Sequence, residues 1–145
     1  MIHPKYIRTN RLIALFVLVL SFLVYYDTMA PSVSYWDCGE FIAVSYTLGV
    51  PHPPGSPLFL LLGRIASLLP FSEDIAFRVN LLSPLSSAFA VFFLYLIIVQ
   101  VVSHWRGKID TNRDALIAFG AGIVGSLTFA FTDSHWFNAV EAEVY

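Results

Sequence analysis

An all-α integral membrane protein is what this chain of 145 residues predicts, with three transmembrane helices and interfacial or re-entrant helices in the loop after the first. Hydrophobic residues make up 57% of it and charged residues only 12%, and the mean hydropathy of +0.72 lies far from that of an average soluble domain. The apolar excess is gathered into long runs. The charges between the runs are sorted by sign, which says more than the net charge of −2. No nucleic-acid partner is expected. The one cysteine, Cys38, cannot form an internal disulfide and reads as a small buried residue.

Residues 1 to 11 hold Lys5, Arg8 and Arg11 and no acid. Leu12 to Tyr26 is apolar apart from Ser21 and the closing tyrosines, and extension to Ala30 gives a first span near the ~20 residues that a bilayer crossing needs. It reads as an uncleaved anchor, because Thr28, Met29 and Ala30 lack the small pair of a cleavage site and Pro31 follows. Tyr25 and Tyr26 suit an aromatic belt at its outer end. A loop over 31–78 comes next. Within it Leu58 to Leu69 is apolar, but at 1.5 Å per residue it reaches only ~18 Å of a ~30 Å core, and it contains Arg64. It is expected to be a re-entrant or interfacial helix. Pro70 to Asp74 reads as a turn, with Ser72 as the N-cap of the next helix and Glu73 and Asp74 in its first turn.

The second span falls at about 79–102. Asn80, Ser83, Ser86 and Ser87 cluster at its outer end, either bonding neighbouring helices or lining a cavity, and Pro84 is placed to kink it. A polar connection over 103–114 carries Arg106, Lys108 and Arg113. The third span, about 115–131, has no charge, and Ala118, Gly122 and Ser126 fall four apart on a face that another helix can approach closely. The remainder, 132–145, gathers Asp133, His135, Glu141 and Glu143.

This arrangement puts residues 1–11 and 103–114 on one side of the membrane. They hold six of the eight basic residues, so the positive-inside rule makes that side, and the N-terminus, cytoplasmic. The opposite, extracytoplasmic side receives Asp27, Asp37, Glu40, Glu73, Asp74, Asp133, Glu141 and Glu143, with Arg64 and Arg78 as its cations. For each arginine two readings stay open: anchoring of a helix end or structural ion pairing, and contact with a lipid phosphate, which a guanidinium fits bidentately.

The chemistry is expected between Ser34 and Pro57. Asp37 and Glu40 stand three apart, which on a helix puts both carboxylates on one face with Cβ atoms roughly 5–6 Å apart. A short helix continues through Phe41 to Leu48 and stops at Gly49. Pro51, Pro53, Pro54 and Pro57 then forbid regular structure, and Gly55 permits a tight bend, so His52 is held on a stiff loop.

The runs WDCGEF at 36–41 and HPPGSP at 52–57, followed by a membrane helix and the acidic EAEVY at 141–145, carry a resemblance. Together they resemble the N-terminal part of a family of large multi-spanning bacterial proteins, long catalogued as a domain of unknown function and related to an animal transmembrane protein O-mannosyltransferase. The resemblance covers nearly the whole chain. It implies a fragment of a larger GT-C-type helical bundle in the bacterial inner (cytoplasmic) membrane, with the remaining helices of a longer protein as partners. Three helices alone could hardly bury these polar faces, which points the same way.

The activity so implied moves a mannose-like sugar from a polyprenyl-phosphate donor to a hydroxyl, on a protein Ser/Thr or a glycan, at the extracytoplasmic face. Asp37 is the expected general base, taking the proton of a hydroxyl that attacks the anomeric carbon opposite the phosphate, with inversion. One carboxylate suffices, because a lipid phosphate leaves without a general acid. Glu40 is then free to hold sugar or acceptor, or to act on Asp37 as a neighbouring charge. His52 either donates to phosphate or sugar or fixes the Pro-rich turn. Arg64, Arg78, Glu141 and Glu143 are the further substrate-side and phosphate-side candidates. No metal ligand is assigned, but in one variant Asp37, Glu40 and Glu141 hold a divalent cation, and oxygen ligands suit Mg²⁺ or Mn²⁺. Two other function classes compete: a transporter component with the acids as a cation site, and a membrane scaffold with an extracytoplasmic binding loop. Against the transporter, the spans lack an ionisable residue at mid-membrane depth.

Overall fold

The computed structural model describes residues 2–142, so Glu143 lies outside the described residues. Seven helices follow in order: α1 (Pro4–Thr28), α2 (Cys38–Thr47), α3 (Pro57–Leu68), α4 (Ile75–Asn80), α5 (Leu82–Arg106), α6 (Asn112–Ala130) and α7 (Asp133–Ala139). Three helical stretches are long and apolar enough to cross a membrane: Pro4–Thr28, Ile75–Arg106 and Asn112–Ala130. No strand occurs among the described residues, where an isolated bridge pairs Ile2 with Ile109. The fold is all-α and membrane-spanning. α3, with 12 residues, is too short to cross.

Two details differ from the sequence reading. The second span is divided at Leu81 into α4 and α5. Pro84 has no N–H to offer the carbonyl four residues back, that of Asn80, so the helical ladder is interrupted there. α4 also starts later than expected. Its N-cap is Asp74, whose Oδ1 accepts the Ala76 N–H at 2.7 Å, and Ser72 accepts the N–H of Asp74 at 3.2 Å from outside the helix.

The chain divides into two compact units. The first comprises residues 1–23 and 87–132, with segments of α1 and α5 and all of α6. Asn10, Ala14, Val17 and Ser21 of α1 are buried at spacings of four and three, as are Ala88, Val91, Tyr95 and Val99 of α5. Two polar pairs lie inside the unit: the Tyr95 hydroxyl donates to Asn10 Oδ1 at 3.0 Å, and the Tyr6 hydroxyl to Asn112 Oδ1 at 2.6 Å; the buried Ser21 hydroxyl has no hydrogen-bond partner among the described residues. Ala118, Gly122 and Ser126 of α6 are buried, as their four-residue spacing predicts. Gly122 meets α5 so closely that a Cβ would lie 2.8 Å from both Tyr95 Cε2 and Val99 Cγ2. Outward, Leu12, Leu15, Phe16, Phe93, Ile97, Val101, Leu116 and Val124 are exposed, the lipid-compatible exterior of spanning helices.

The second unit comprises residues 24–86 and 133–145. Cys38, Ile42, Ala76, Val79 and Ala142 form its apolar cluster, with Phe59 and Ile75 packed against it. α2 and α3 pack through Gly63, where a Cβ would stand 2.8 Å from Ser45 Cβ. The segment leaving α1 is tied down by hydrogen bonds rather than by secondary structure. Ala30 donates its N–H to the Val140 carbonyl at 2.8 Å, and Asn80 Nδ2 donates to the carbonyls of Ala30 and Ser32 at 3.0 and 2.9 Å. Trp136 Nε1 donates to Thr28 Oγ1 at 3.2 Å. One unit therefore holds both the first acidic loop and residues 133–142.

The glycine contacts give a paired prediction. Gly122→Ala, which overpacks α6 against Tyr95 and Val99, is expected to cost about 1–3 kcal/mol. Gly120→Ala, whose Cβ would meet nothing within 4 Å, is expected to be neutral or slightly stabilising. Unfolding of both variants in detergent micelles checks this; equal midpoints would show that α6 does not pack through Gly122.

Candidate active site

α2 and the Pro-rich loop after it build the site. Trp36 takes a left-handed backbone (φ 64°), a conformation that costs a bulky residue on the order of 1–3 kcal/mol. Asp37 then stands at the N-cap of α2, its side chain making no capping bond, and Glu40 lies in the first helical turn. The carboxylates are three residues apart, as expected, but Asp37 precedes the helix rather than riding on it. α2 ends where Leu48 turns left-handed (φ 55°) and the Gly49 N–H reaches the Val44 carbonyl at 2.9 Å. The loop bends at Gly55 (φ 79°), whose N–H donates to the His52 carbonyl at 3.1 Å.

This geometry delivers His52 to both acids. Its backbone N–H donates to Glu40 Oε1 at 2.8 Å, and its ring Nδ1 lies 2.8 Å from Glu40 Oε2. Its Nε2 stands 3.8 Å from Asp37 Oδ2, too far for a direct hydrogen bond but within ion-pairing range. The side chains are 45% exposed at Asp37, 38% at Glu40 and 35% at His52, so the group is held yet reachable. Phe41 backs the His52 ring at 5.8 Å and stacks edge-on against Phe59.

The ring bond from His52, and then its backbone N–H, hold the Glu40 carboxyl below its ordinary value of 4.5, against an opposing effect of desolvation. Glu40 thus stays ionised and orients the imidazole. With Nδ1–H pointed at Glu40, a neutral His52 presents Nε2 as an acceptor towards Asp37, and a protonated one presents a donor. One ligand atom from each of Asp37, Glu40 and His52 lies within 4.8 Å of the others, close enough to hold a metal ion. Glu141, named with the two acids on sequence grounds, is not in that group, and His52 takes its place.

The other candidates lie elsewhere in the unit. Arg78 Nη1 serves the end of α3, donating to the carbonyls of Ser67 at 2.5 Å and Leu69 at 3.1 Å, and its Nη2 reaches that of Glu73, just before α4, at 3.4 Å. These bonds are of the helix-end anchoring kind, one of the two readings of Arg78. Arg64 donates Nη1 to the Tyr46 carbonyl at the end of α2, with its guanidinium 5.5 Å from the Tyr46 ring centroid. Glu141 is only 7% exposed, and its Oε1 has no hydrogen-bond partner among the described residues. Asp74, besides capping α4, is held below 3.8 by the Ser32 hydroxyl.

The fold and this geometry can be set against known proteins. Residues 37–145 match the family described as Protein O-mannosyl-transferase TMEM260 N-terminal domain. The chain belongs to this family. It is 30% identical over 145 residues to "Protein O-mannosyl-transferase tmem260" of Dictyostelium discoideum, covering 97% of this chain and 16% of that protein. It is 34% identical over 119 residues to "Protein O-mannosyl-transferase TMEM260" of Mus musculus, covering 81% of this chain and 15% of that protein. The chain thus spans about a sixth of the length of these curated relatives. No solved structure matches it significantly. In this O-mannosyl-transferase family member the matched region starts at Asp37 and includes Glu40 and His52.

Sequence reasoning named Asp37, Glu40 and His52 but missed that Glu40 binds His52 through two atoms. The signal available was weak: a lone histidine on a proline loop returning towards the helix that carries the acids. Because the folded-state pKa of Glu40 is depressed, the pair contributes stability above the unfolded value of Glu40, and that contribution is lost as pH falls through the lower folded value. Carboxyl ¹³C NMR should find Glu40 titrating below 4.5 in the wild type and closer to 4.5 in His52→Ala, where only the backbone bond remains. A wild-type midpoint at or above 4.5 would falsify the pairing.

Proposed function

We propose that this chain forms part of a membrane glycosyltransferase that moves a mannose-like sugar from a polyprenyl-phosphate donor to a hydroxyl acceptor, with the Asp37 loop on the extracytoplasmic face. The observation that carries this reading is the accessible Asp37–His52–Glu40 group in a chain of the O-mannosyl-transferase family. The relatives are protein O-mannosyl-transferases, which supports a protein Ser/Thr hydroxyl as the acceptor, and a glycan hydroxyl would satisfy the same chemistry.

The acceptor hydroxyl approaches from the aqueous side. Asp37 takes its proton as its oxygen bonds to the anomeric carbon, and the bond from that carbon to the lipid-phosphate oxygen breaks, the electron pair leaving with the phosphate. The product is inverted. Glu40 holds His52, and His52 Nε2 stands beside Asp37, where it can relay the proton or hydrogen-bond a sugar hydroxyl. Arg64 has guanidinium N–H groups beyond the one given to Tyr46, and these suit the donor phosphate; Arg78 is structural. The acid pair also admits a cofactor. Two carboxylates and an imidazole fit a divalent cation, Mn²⁺ more readily than Mg²⁺ because of the nitrogen ligand, and such a cation would offset charge on the departing phosphate. The exposed apolar faces of α1, α5 and α6 are the surfaces for lipid and for further helices of a longer protein.

Transfer from polyprenyl-phosphate mannose, in membranes containing the complete protein at equal expression, tests the roles. Asp37→Asn is expected to lose at least about 100-fold in rate with donor binding retained, the lower end of what a general base supplies. Glu40→Gln and His52→Ala are expected to lose less. Transfer unchanged in Asp37→Asn would remove Asp37 as the base, and no transfer by the wild type would return the protein to the transporter and scaffold readings.

A further inference from the structure

Directly before Asp37 the chain exposes two large aromatic side chains, Tyr35 at 87% and Trp36 at 85%. Burial does not explain them, since neither belongs to the apolar cluster of the unit. Trp36 is also one of two non-glycine residues with positive φ among the described residues. The other, Leu48, has a structural reason in ending α2. At Trp36 a glycine would satisfy the same turn without steric cost, so this indole is held where local folding preferences alone would not put it.

Resting on the transferase reading above, we propose that Trp36 is the stacking platform for the hexose ring handled at the Asp37 site, with Tyr35 flanking it. A pyranose has a patch of C–H groups on one face and hydroxyls around its rim. The electron-rich face of an indole attracts the first, and carboxylates and an imidazole take up the second. Here the aromatic residue and the polar groups are adjacent in one turn: Trp36 precedes Asp37, and His52 and Glu40 complete the polar side. A bilayer anchor is the rival occupant for an exposed tryptophan, but an anchor gains nothing from a left-handed backbone. Trp36 is on this basis a substrate-binding residue that sets the position of the ring, and the protons remain with Asp37 and His52.

The test uses the membrane-reconstituted protein and reads Trp36 fluorescence as the difference between wild type and Trp36→Phe. Methyl α-mannoside and short-chain polyprenyl-phosphate mannose should both shield Trp36 from aqueous acrylamide, whereas sugar-free polyprenyl phosphate should not. Trp36→Ala should weaken donor binding by about tenfold, Trp36→Phe by less, and the loss should appear mainly in KM rather than kcat. Trp36→Gly should bind as poorly as Trp36→Ala while melting no lower than wild type, which separates a binding role from a folding one. Quenching of Trp36 by lipids brominated on their tails, equal shielding by the sugar-free lipid phosphate, or no shielding by either sugar would each overturn the platform. These readings concern binding, so they stand whether or not sugar transfer is detected; failure of transfer with shielding intact would remove the transferase reading alone.

Discussion

Glu40 accepts both the backbone N–H and the ring Nδ1 of His52, and the polar end of this chain depends on that pair of bonds. The loop they hold has little else to offer. Pro51, Pro53 and Pro54 have no N–H, so the backbone donor of His52 is one of few available to pin the loop to α2. Spending it on Glu40 fixes where the imidazole stands, and the ring then bridges to Asp37. The same contact distinguishes the carboxylates: Glu40 is bonded to the histidine through both oxygens, and the Asp37 side chain, 45% exposed, stands 3.8 Å from the ring.

That arrangement is only as firm as α2, and α2 is held by close packing. Gly63 lets α3 come within a methyl group's width of Ser45, and Cys38 and Ile42 bury themselves with Ala76, Val79 and Ala142. The polar groups that might have gone to a substrate are partly consumed in the process. Arg78 satisfies carbonyls at the end of α3, and Asn80 does the same for Ala30 and Ser32 beyond α1. Near a bilayer, where water is scarce, helix ends need such partners from within the protein.

The first unit follows a different logic. Its buried stripes on α1 and α5 are mostly small or β-branched, Tyr95 being a large exception, two polar pairs lie inside it, and its exterior is apolar. Hydrophobic burial contributes little between helices in lipid, so the closeness allowed by Gly122 has to supply the association through van der Waals contact.

Local composition alone was enough to read the three long apolar helices, the short α3, the bend at Gly55, the small-residue face of α6 and the gathering of Asp37, Glu40 and His52 in one short stretch. Each of these depends on hydropathy, backbone permissiveness or spacing within one segment, which sequence carries directly. The Glu40–His52 pairing, the delayed start of α4 at Asp74, the commitment of Arg78 to helix carbonyls and the burial of Glu141 were decided by tertiary structure. The pairing, the Arg78 bonds and the burial of Glu141 depend on how separate segments meet, and the start of α4 on which of two neighbouring side chains caps it; at ~3 Å a hydrogen bond is made or lost by displacements that no periodicity records.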